Sequence, residues 1–217
     1  MKKFSIYCSG NASRVIKFYS YKNNRELFCP VGIFYDGLNK NIFKTLKRFF
    51  QDKVFYFDHD KLNKDEFKRI NSITSNKLLK FLEKNQSDYL LCFGNRILKK
   101  PLIQKYDKRI INFHPSLLPS FKGLNAIDQA LKAKVSFLGN TAHFIDEGID
   151  TGKIIIQSAM LRSDFEEYED VLELQFPILN ILFRDLFDFK SKKLIDTEIM
   201  KRSKPYFLEK KLKNIDK

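Results

Sequence analysis

With 217 residues, the chain is long enough for one sizeable domain with its own hydrophobic core. Its formal net charge of +14 arises from 40 Lys and Arg against 26 Asp and Glu, and this excess suits a phosphate-bearing or polyglutamylated small molecule. The basic residues are scattered and form no recognition helix, zinc finger or aromatic RNA-binding signature, which argues against a nucleic-acid partner.

Targeting signals are not recognisable in the sequence. No stretch approaches the 18 or more apolar residues of a membrane-spanning helix, and the apolar run at the N-terminus breaks at residues 9–11, too early for a signal peptide. We therefore expect a cytoplasmic protein with no membrane partner. The three cysteines, Cys8, Cys29 and Cys92, lie in apolar, strand-like surroundings without metal-ligand spacing, so we expect buried, reduced thiols and no metal.

Short apolar runs alternate with helical patterns along most of the chain. Strands are predicted at residues 4–8, 27–35, 54–57, 89–93, 109–113, 137–145 and 153–159. Helices are predicted at residues 12–19, 42–50, 64–83, 124–131 and 168–189, the last with a kink or break at Phe176 and Pro177. This alternation predicts an α/β fold with a Rossmann-like, mostly parallel central sheet flanked by helices.

The predicted domain organisation is simple. Residues 1–190 form one catalytic domain, and residues 191–217 form a basic C-terminal tail that makes a short hairpin or wraps around the domain. No internal repeat or low-complexity linker suggests a second domain.

A polar pair at a strand end is the most informative feature of the sequence. Asn112 and His114 lie two residues apart, so in a strand their side chains point the same way. Pro115 and Pro119 lack backbone donors and stop the strand at the carboxyl end, where open α/β sheets bind ligands. Asp150, in a later turn-rich segment, can complete a polar trio suited to chemistry at a carbonyl: the amide and the imidazole stabilise an oxyanion, and the carboxylate supports a charged imidazole.

The three histidines and Asp150 also have structural explanations. His114 can cap a strand end, and Asp150 can serve turn chemistry beside its neighbouring glycines. His143, on the predicted strand at 137–145, either faces the same cleft or is a packed core histidine. His59, between two aspartates in a loop, is expected to be solvated.

The loop after the first strand is a weaker candidate for an anion site. Residues 9–14 follow a strand and open a helix, whose N-terminal backbone donors attract anions. Ser13 and Arg14 can add side-chain donors. The single Gly10 falls short of the three glycines of a dinucleotide fingerprint, so an ordinary β-to-α turn explains the loop equally well.

The block around the polar pair resembles a known family. Residues 111–124, residues 129–131 and residues 141–152 closely resemble the glycinamide ribonucleotide transformylases, which belong to the wider group of formyltransferases that use 10-formyltetrahydrofolate. The resemblance covers about residues 4–157. It implies a Rossmann-like formyltransferase domain with 10-formyltetrahydrofolate as co-substrate, and it implies Asn112, His114 and Asp150 as the catalytic trio.

The resemblance also implies binding roles. The loop after the first strand would receive the phosphate of the ribonucleotide, and two other segments would line the pteridine pocket. The implied substrate-binding residues are Gly10, Asn11, Ala12, Ser13 and Arg14. The implied cofactor-binding residues are Arg96, Ile97, Leu98, His143, Asp146, Glu147, Gly148, Ile149 and Thr151.

Departures from the family pattern leave the acceptor open. Residues 12–14 read Ala-Ser-Arg where the transformylases typically have Gly-Ser-Asn, and Ala12 does not easily adopt positive φ. The glutamate of the family's late helix falls near Leu172 or Glu173 in one alignment and at Asn180 in another. The tail at 204–216 is similar to that of formyltransferases that modify nucleotide-linked amino sugars.

The leading hypothesis is formyl transfer to the amine of glycinamide ribonucleotide, in purine biosynthesis. The first alternative is N-formylation of a nucleotide-linked amino sugar, in surface polysaccharide biosynthesis. The others are hydrolysis of formyltetrahydrofolate by the same trio and a catalytically idle basic binding module. The partner is expected to be a phosphorylated small-molecule amine, and the sequence leaves a homodimer open.

Overall fold

The computed structural model of the protein describes residues 2–164, 168–186 and 206–209. The described residues divide into two compact units, residues 2–111 and those from 112 onward. No helix within these ranges is long and apolar enough to cross a membrane. The predicted domain at 1–190 and tail at 191–217 remain a prediction.

The first unit alternates parallel strands with helices. Strand β1 (Phe4–Cys8) lies between β2 (Gly32–Tyr35) and β4 (Tyr89–Phe93), and β3 (Val54–Tyr56) pairs with β2, all in parallel. Its helices are α1 (Ser13–Ser20), α2 (Lys22–Leu27), α3 (Lys40–Phe50), α4 (Lys64–Lys68), α5 (Ile70–Lys84) and α6 (Lys100–Lys105). Every residue of β1, β2 and β4 is buried, as expected of parallel strands covered on both faces.

The second unit continues from strand β5 (Ile110–His114), in which the boundary between the units falls. The strand order here is β5, β6 (Phe137–Phe144), β7 (Ile154–Leu161) and β8 (Tyr206–Glu209), and the β6–β7 and β7–β8 pairs are antiparallel. Its helices are α7 (Ala126–Lys132), α8 (Tyr168–Glu173) and α9 (Gln175–Asp185). The predicted α/β class, with a Rossmann-like and mostly parallel sheet, is confirmed.

Two predicted elements of the first unit differ markedly from the structure, and two of its short helices were not predicted. The strand predicted at 27–35 begins only at Gly32, because Leu27 ends α2 and Pro30 has no donor for a ladder. The helix predicted at 64–83 is two helices: the capping box of Asn63 and Glu66 starts α4, and the backbone of Arg69 (φ −103°, ψ 17°) leaves the helical conformation between Lys68 and Ile70. Helices α2 and α6 were not predicted.

The late helix breaks earlier than predicted. The interruption falls at Leu174, between α8 and α9, and not at Phe176 and Pro177. Pro177 lies in the first turn of α9, where its missing N–H costs no intrahelical hydrogen bond. Residues 187–189 of the predicted helix and most of the predicted tail hairpin lie outside the described residues.

Two predictions about burial are wrong. Cys8 and Cys92 are buried as expected, but Cys29 is exposed, because it lies in the irregular segment before β2, with Lys53 Nζ 2.9 Å from its sulfur. His59 is buried and not solvated. Its Nε2 atom lies 2.7 Å from the carbonyl oxygen of Asp36, and this contact holds the ring inside the first unit.

Candidate active site

Asn112 and His114 lie at the carboxyl end of β5, where the alternation of a strand turns both side chains to one face. His114 is buried, and Asn112 is half-buried. The strand ends at His114 because Pro115 has no N–H to continue a ladder.

Two side chains, the buried Thr141 and the half-buried Gln157, hold the chain reversal that follows His114. The Thr141 hydroxyl donates to the carbonyl of Ser116 at 2.7 Å and accepts the N–H of Leu118 at 3.0 Å. Gln157 Nε2 donates to the Leu118 carbonyl and to the Thr141 hydroxyl, both at 2.9 Å. Sequence reasoning missed this clamp, because neither residue has a distinctive pattern around it.

Asp150 reaches the site from the loop between β6 and β7. Its backbone is left-handed, with φ 50°, a conformation that aspartate tolerates better than most residues. Asp146 shapes the loop by accepting the N–H of Gly148 at 3.0 Å and the hydroxyl of Thr151 at 2.7 Å. At Gly152 a Cβ atom would lie 1.7 Å from the carbonyl oxygen of Phe144, so only glycine allows this close return of the chain.

The imidazole of His114 lies between two acceptors. Its Nε2 lies 2.8 Å from the carbonyl oxygen of Phe121, and because a carbonyl only accepts, Nε2 carries the proton and donates it. Its Nδ1 lies 3.3 Å from Oδ2 of Asp150. Both ring nitrogens therefore face protein oxygen atoms.

His143 belongs to the same cluster and is also buried, so both of its alternative interpretations apply. Its Nδ1 donates to the Phe144 carbonyl at 2.9 Å, which leaves Nε2 able to accept. Asn112 Nδ2 approaches that Nε2 at 3.2 Å, and Asp150 Oδ1 lies 3.5 Å from it. His143 thus orients the amide of Asn112 and leaves the second N–H of that amide for another acceptor.

The carboxyl of Asp150 is held in its ionised form. Burial acts to raise its pKa, but the contact with His143, the N–H of Gly123 at 2.8 Å and the charge of His114 together lower the pKa below its usual value. An ionised Asp150 can accept an N–H from Nδ1 of His114.

The segment at 121–125 contacts both members of the His114–Asp150 pair. Phe121, Gly123 and Asn125 all have positive φ, at 57°, 82° and 57°. This alternation turns the Phe121 carbonyl toward His114 and the Gly123 N–H toward Asp150. Sequence reasoning did not identify these two backbone groups; Gly123 was the one available signal, because glycine favours positive φ.

The other predicted binding residues fall in both units. In the second unit, Asp146, Glu147, Gly148, Ile149 and Thr151 form the loop that presents Asp150. The other predicted residues lie in the first unit. Ile97 there is exposed, and Leu98 is buried.

The first unit contains a crevice of about 330 Å³ at the carboxyl ends of its parallel strands. Of the residues predicted to bind substrate, Gly10 and Asn11 line the crevice, and Arg96 of the predicted cofactor set lines it as well. The rest of its wall consists of Ser9, Asp36, Gly37, Leu38, Asn39, His59 and Asn95.

Three predicted substrate residues lie beside the crevice without lining it. Ala12 is buried with φ 47°, so it adopts the positive φ that its Cβ disfavours. The Ser13 N–H donates to Asn11 Oδ1 at 3.2 Å. The Arg14 guanidinium donates to the Phe93 carbonyl at 3.2 Å and lies over the Phe93 ring.

Arg96 is fixed in the crevice by a buried carboxylate. Asp36 Oδ2 accepts Arg96 Nε at 3.1 Å and the hydroxyl of Tyr7 at 3.0 Å, and Arg96 Nη2 lies 3.2 Å from His59 Nε2. Burial raises the pKa of Asp36, although Arg96 and Tyr7 oppose that shift. Sequence reasoning missed Asp36, which directly follows β2 and had no motif around it.

No group of three or more His, Cys, Asp or Glu side chains within the described ranges is arranged to bind a metal ion.

Comparison with known proteins places most of the chain in one family. Residues 8–173 match the family model described as formyl transferase. A Bacillus subtilis (strain 168) protein named phosphoribosylglycinamide formyltransferase is 28% identical over 173 residues, which is 79% of this chain and 85% of the relative.

Two crystal structures of proteins with that name are also similar. The structure from Streptococcus pneumoniae TIGR4 has a TM-score of 0.70 and 26% identity, over 86% of this chain and 99% of the other. The structure from Bacillus halodurans has a TM-score of 0.60 and 30% identity, over 84% and 90%.

Proposed function

Because this chain belongs to the formyl transferase family, we propose that it transfers a formyl group from 10-formyltetrahydrofolate to the amine of glycinamide ribonucleotide. The observation that carries the proposal is the convergence of Asn112, His114 and Asp150 within hydrogen-bonding distance of one another or of His143. The acceptor follows from the names of the similar proteins.

The residues around the trio fit a folate. Ile149, next to Asp150, is 60% exposed, and Leu124, next to Gly123, is 81% exposed. A flat heterocycle bound beside Asp150 would cover apolar side chains such as these. We propose that the loop at 146–151 binds the pteridine and that the co-substrate, when bound, supplies the formyl carbon that the amine attacks.

In the proposed mechanism, Asn112 and His114 stabilise the negative charge that develops on the formyl oxygen. One N–H of the Asn112 amide points to His143, and its second N–H is available to the formyl oxygen. Asp150, held ionised, stabilises positive charge on His114 during the reaction and takes up the proton that the amine loses. We propose that this proton then passes to the folate nitrogen, which leaves as its bond to the formyl carbon breaks.

His114 must exchange a hydrogen bond to take part. Both of its ring nitrogens face protein oxygens, so one N–H has to leave its present acceptor before it can donate to the formyl oxygen. We propose that Nε2 leaves the Phe121 carbonyl, because the contact of Nδ1 with ionised Asp150 is charge-assisted. The segment at 121–125 would then shift when the substrates bind.

We propose that the crevice of the first unit binds the phosphate of the acceptor. Arg96 Nε and Nη2 contact Asp36 and His59, and its Nη1 has no hydrogen-bond partner among the described residues. A guanidinium fixed on two sides presents its remaining donors to a ligand with little loss of conformational entropy. The side-chain amides of Asn11, Asn39 and Asn95 around it add uncharged donors.

Tetrahydrofolate release tests the proposed function. The purified protein is incubated with 10-formyltetrahydrofolate and one of three additions: glycinamide ribonucleotide, a set of nucleotide-linked amino sugars, or no amine. We expect turnover with glycinamide ribonucleotide alone. Turnover only with an amino sugar would show that the amino sugar, and not glycinamide ribonucleotide, is the acceptor. Equal turnover without any amine would identify a hydrolase.

A parallel binding measurement addresses the remaining alternative. A basic binding module would show no turnover in any of the three incubations, no affinity for folate, and nucleic-acid binding that weakens steeply with salt. Folate binding by the wild type, with loss of turnover in His114→Ala, is the result expected of the enzyme.

A further inference from the structure

A buried pair of side-chain amides lies behind β5. Gln175, the first residue of α9, donates from Nε2 to the carbonyl of Phe113 at 3.2 Å and to Oδ1 of Asn140 at 2.8 Å. Both amide side chains are fully buried. Burying an amide costs stability unless its hydrogen bonds are made, so this polar contact within the core requires an explanation.

Most of the buried side chains of α9 are apolar. The helix that begins with Gln175 buries a row of apolar side chains, namely Phe176, Ile178, Leu179, Leu182 and Phe183. A leucine at position 175 would bury a similar apolar volume and need no hydrogen-bond partner. The role of the Gln175 amide therefore depends on the groups to which it donates hydrogen bonds.

Gln175 holds the peptide unit from which His114 projects. The carbonyl of Phe113 and the N–H of His114 belong to one planar group, so fixing the oxygen fixes the whole plane. The orientation of that plane sets the direction of the Cα–Cβ bond of His114. Asn112 lies one residue before the same peptide, on the same strand.

Asn140 connects the hydrogen bond of Gln175 to β6, the strand that carries His143. It lies on β6, three residues before His143, and its Nδ2 donates to the Val171 carbonyl of α8. One amide of Gln175 thus joins β5, which carries Asn112 and His114, to β6, which carries His143.

We propose that Gln175 is a positioning residue for formyl transfer: its amide sets the peptide plane that aims His114 at Asp150. The inference rests on the proposed function, because the reaction defines the orientation that His114 needs. Gln175 itself touches neither substrate, and it acts through the Phe113 carbonyl.

The first test is kinetic. In Gln175→Leu we expect kcat to fall by roughly 10- to 100-fold, as for small misplacements of reacting groups, with KM for both substrates within about twofold of the wild type. The matched control is Ser158→Ala, which removes a buried hydrogen bond from the Ser158 hydroxyl to the Leu174 carbonyl (2.8 Å) beside α9 without touching β5. It should lower the melting temperature and leave kcat nearly unchanged.

A double variant separates positioning from stability. Gln175→Leu leaves the Oδ1 atom of Asn140 without its donor from Gln175. In the double variant Gln175→Leu, Asn140→Leu, both amides are removed, so no unpartnered amide remains. We expect the double variant to recover part of the lost stability but not kcat, because both the Phe113 carbonyl and the Val171 carbonyl still lack their side-chain donors. It also preserves the test if the single variant does not fold.

The second test needs no turnover. The chain has three histidines, His59, His114 and His143, so the ¹⁵N signals of their rings can be assigned by substitution. In Gln175→Leu or the double variant, the ring signals of His114 should shift and those of His59 should not. If the wild type formylates no amine, the proposed function fails while this measurement still decides the positioning role.

Unchanged His114 signals in a folded variant would overturn the proposal. So would a loss of kcat no greater than that of Ser158→Ala.

Discussion

Replacing Asp150 by asparagine tests the proposed ion pair most directly. Asparagine has nearly the same shape, tolerates the left-handed backbone at φ 50° and can still accept the N–H of Gly123. The substitution therefore removes the charge and little else. His114 Nδ1 then loses the anionic partner that lies 3.3 Å away.

The distance sets the expected size of the effect. Two unit charges 3.3 Å apart attract by about 5 kcal/mol at an effective dielectric constant of ~20. Removing two charges from water offsets part of that attraction, so about 3 kcal/mol is expected to remain in the reaction. This corresponds to a fall in kcat of about 10²-fold for Asp150→Asn.

The assay is steady-state tetrahydrofolate release, with KM measured separately for folate and for glycinamide ribonucleotide. The control is Asp128→Asn, which makes the same change of charge at an exposed position in the first turn of α7. Asp128 lies outside the loop at 146–151, so this variant should keep kcat within about threefold. Wild-type kcat in Asp150→Asn, or an equal loss in both variants, would refute the ion-pair reasoning.

Three further predictions follow from the site. Burial alone would raise the pKa of Asp150, but its partners lower that pKa in the folded protein. The ionised carboxyl therefore stabilises the fold above the pKa of the unfolded carboxyl, and this stabilisation is lost as pH falls through the lower folded pKa. In urea titrations, the wild type should lose more unfolding free energy than Asp150→Asn between about pH 5 and about pH 2. Gly152→Ala places a Cβ atom 1.7 Å from a carbonyl oxygen, so it should cost about 1–3 kcal/mol in urea unfolding and lower kcat as the Asp150 loop moves. Arg96→Ala should raise KM for the acceptor at least about tenfold, as expected for a lost charged hydrogen bond. Arg14→Ala should raise this KM less, because Arg14 does not line the crevice. A larger effect of Arg14→Ala would indicate that the phosphate binds to the loop at 10–14.

The local sequence predicted much of the secondary structure. β1 and β4 were placed at their observed bounds because continuous apolar runs are typical of strands buried on both faces. Boundaries failed where the backbone of a single residue left the helical conformation inside a continuous apolar pattern, as at Arg69 between α4 and α5. The short helices α2 and α6 have too few turns to show a helical period.

For the candidate site, sequence predicted which side chains to consider but not all of their partners. Asn112, His114 and Asp150 were chosen by residue type, spacing and resemblance, and the structure brings them together with His143. The Phe121 carbonyl was missed because a backbone acceptor has no side-chain signature. Its contribution depends on a left-handed residue in a loop, which no periodic pattern encodes.

The sequence by itself determined the elements, the strand end that presents an amide and an imidazole, and the chemistry these groups favour, because each depends on neighbours a few residues apart along the chain. Only the tertiary structure decided that a buried Gln175, 62 residues away, donates to the peptide before His114, and that Asp36 and His59 fix Arg96 in the first unit. Contacts between residues distant in sequence depend on how strands and helices pack, and packing is a property of the whole core rather than of any segment.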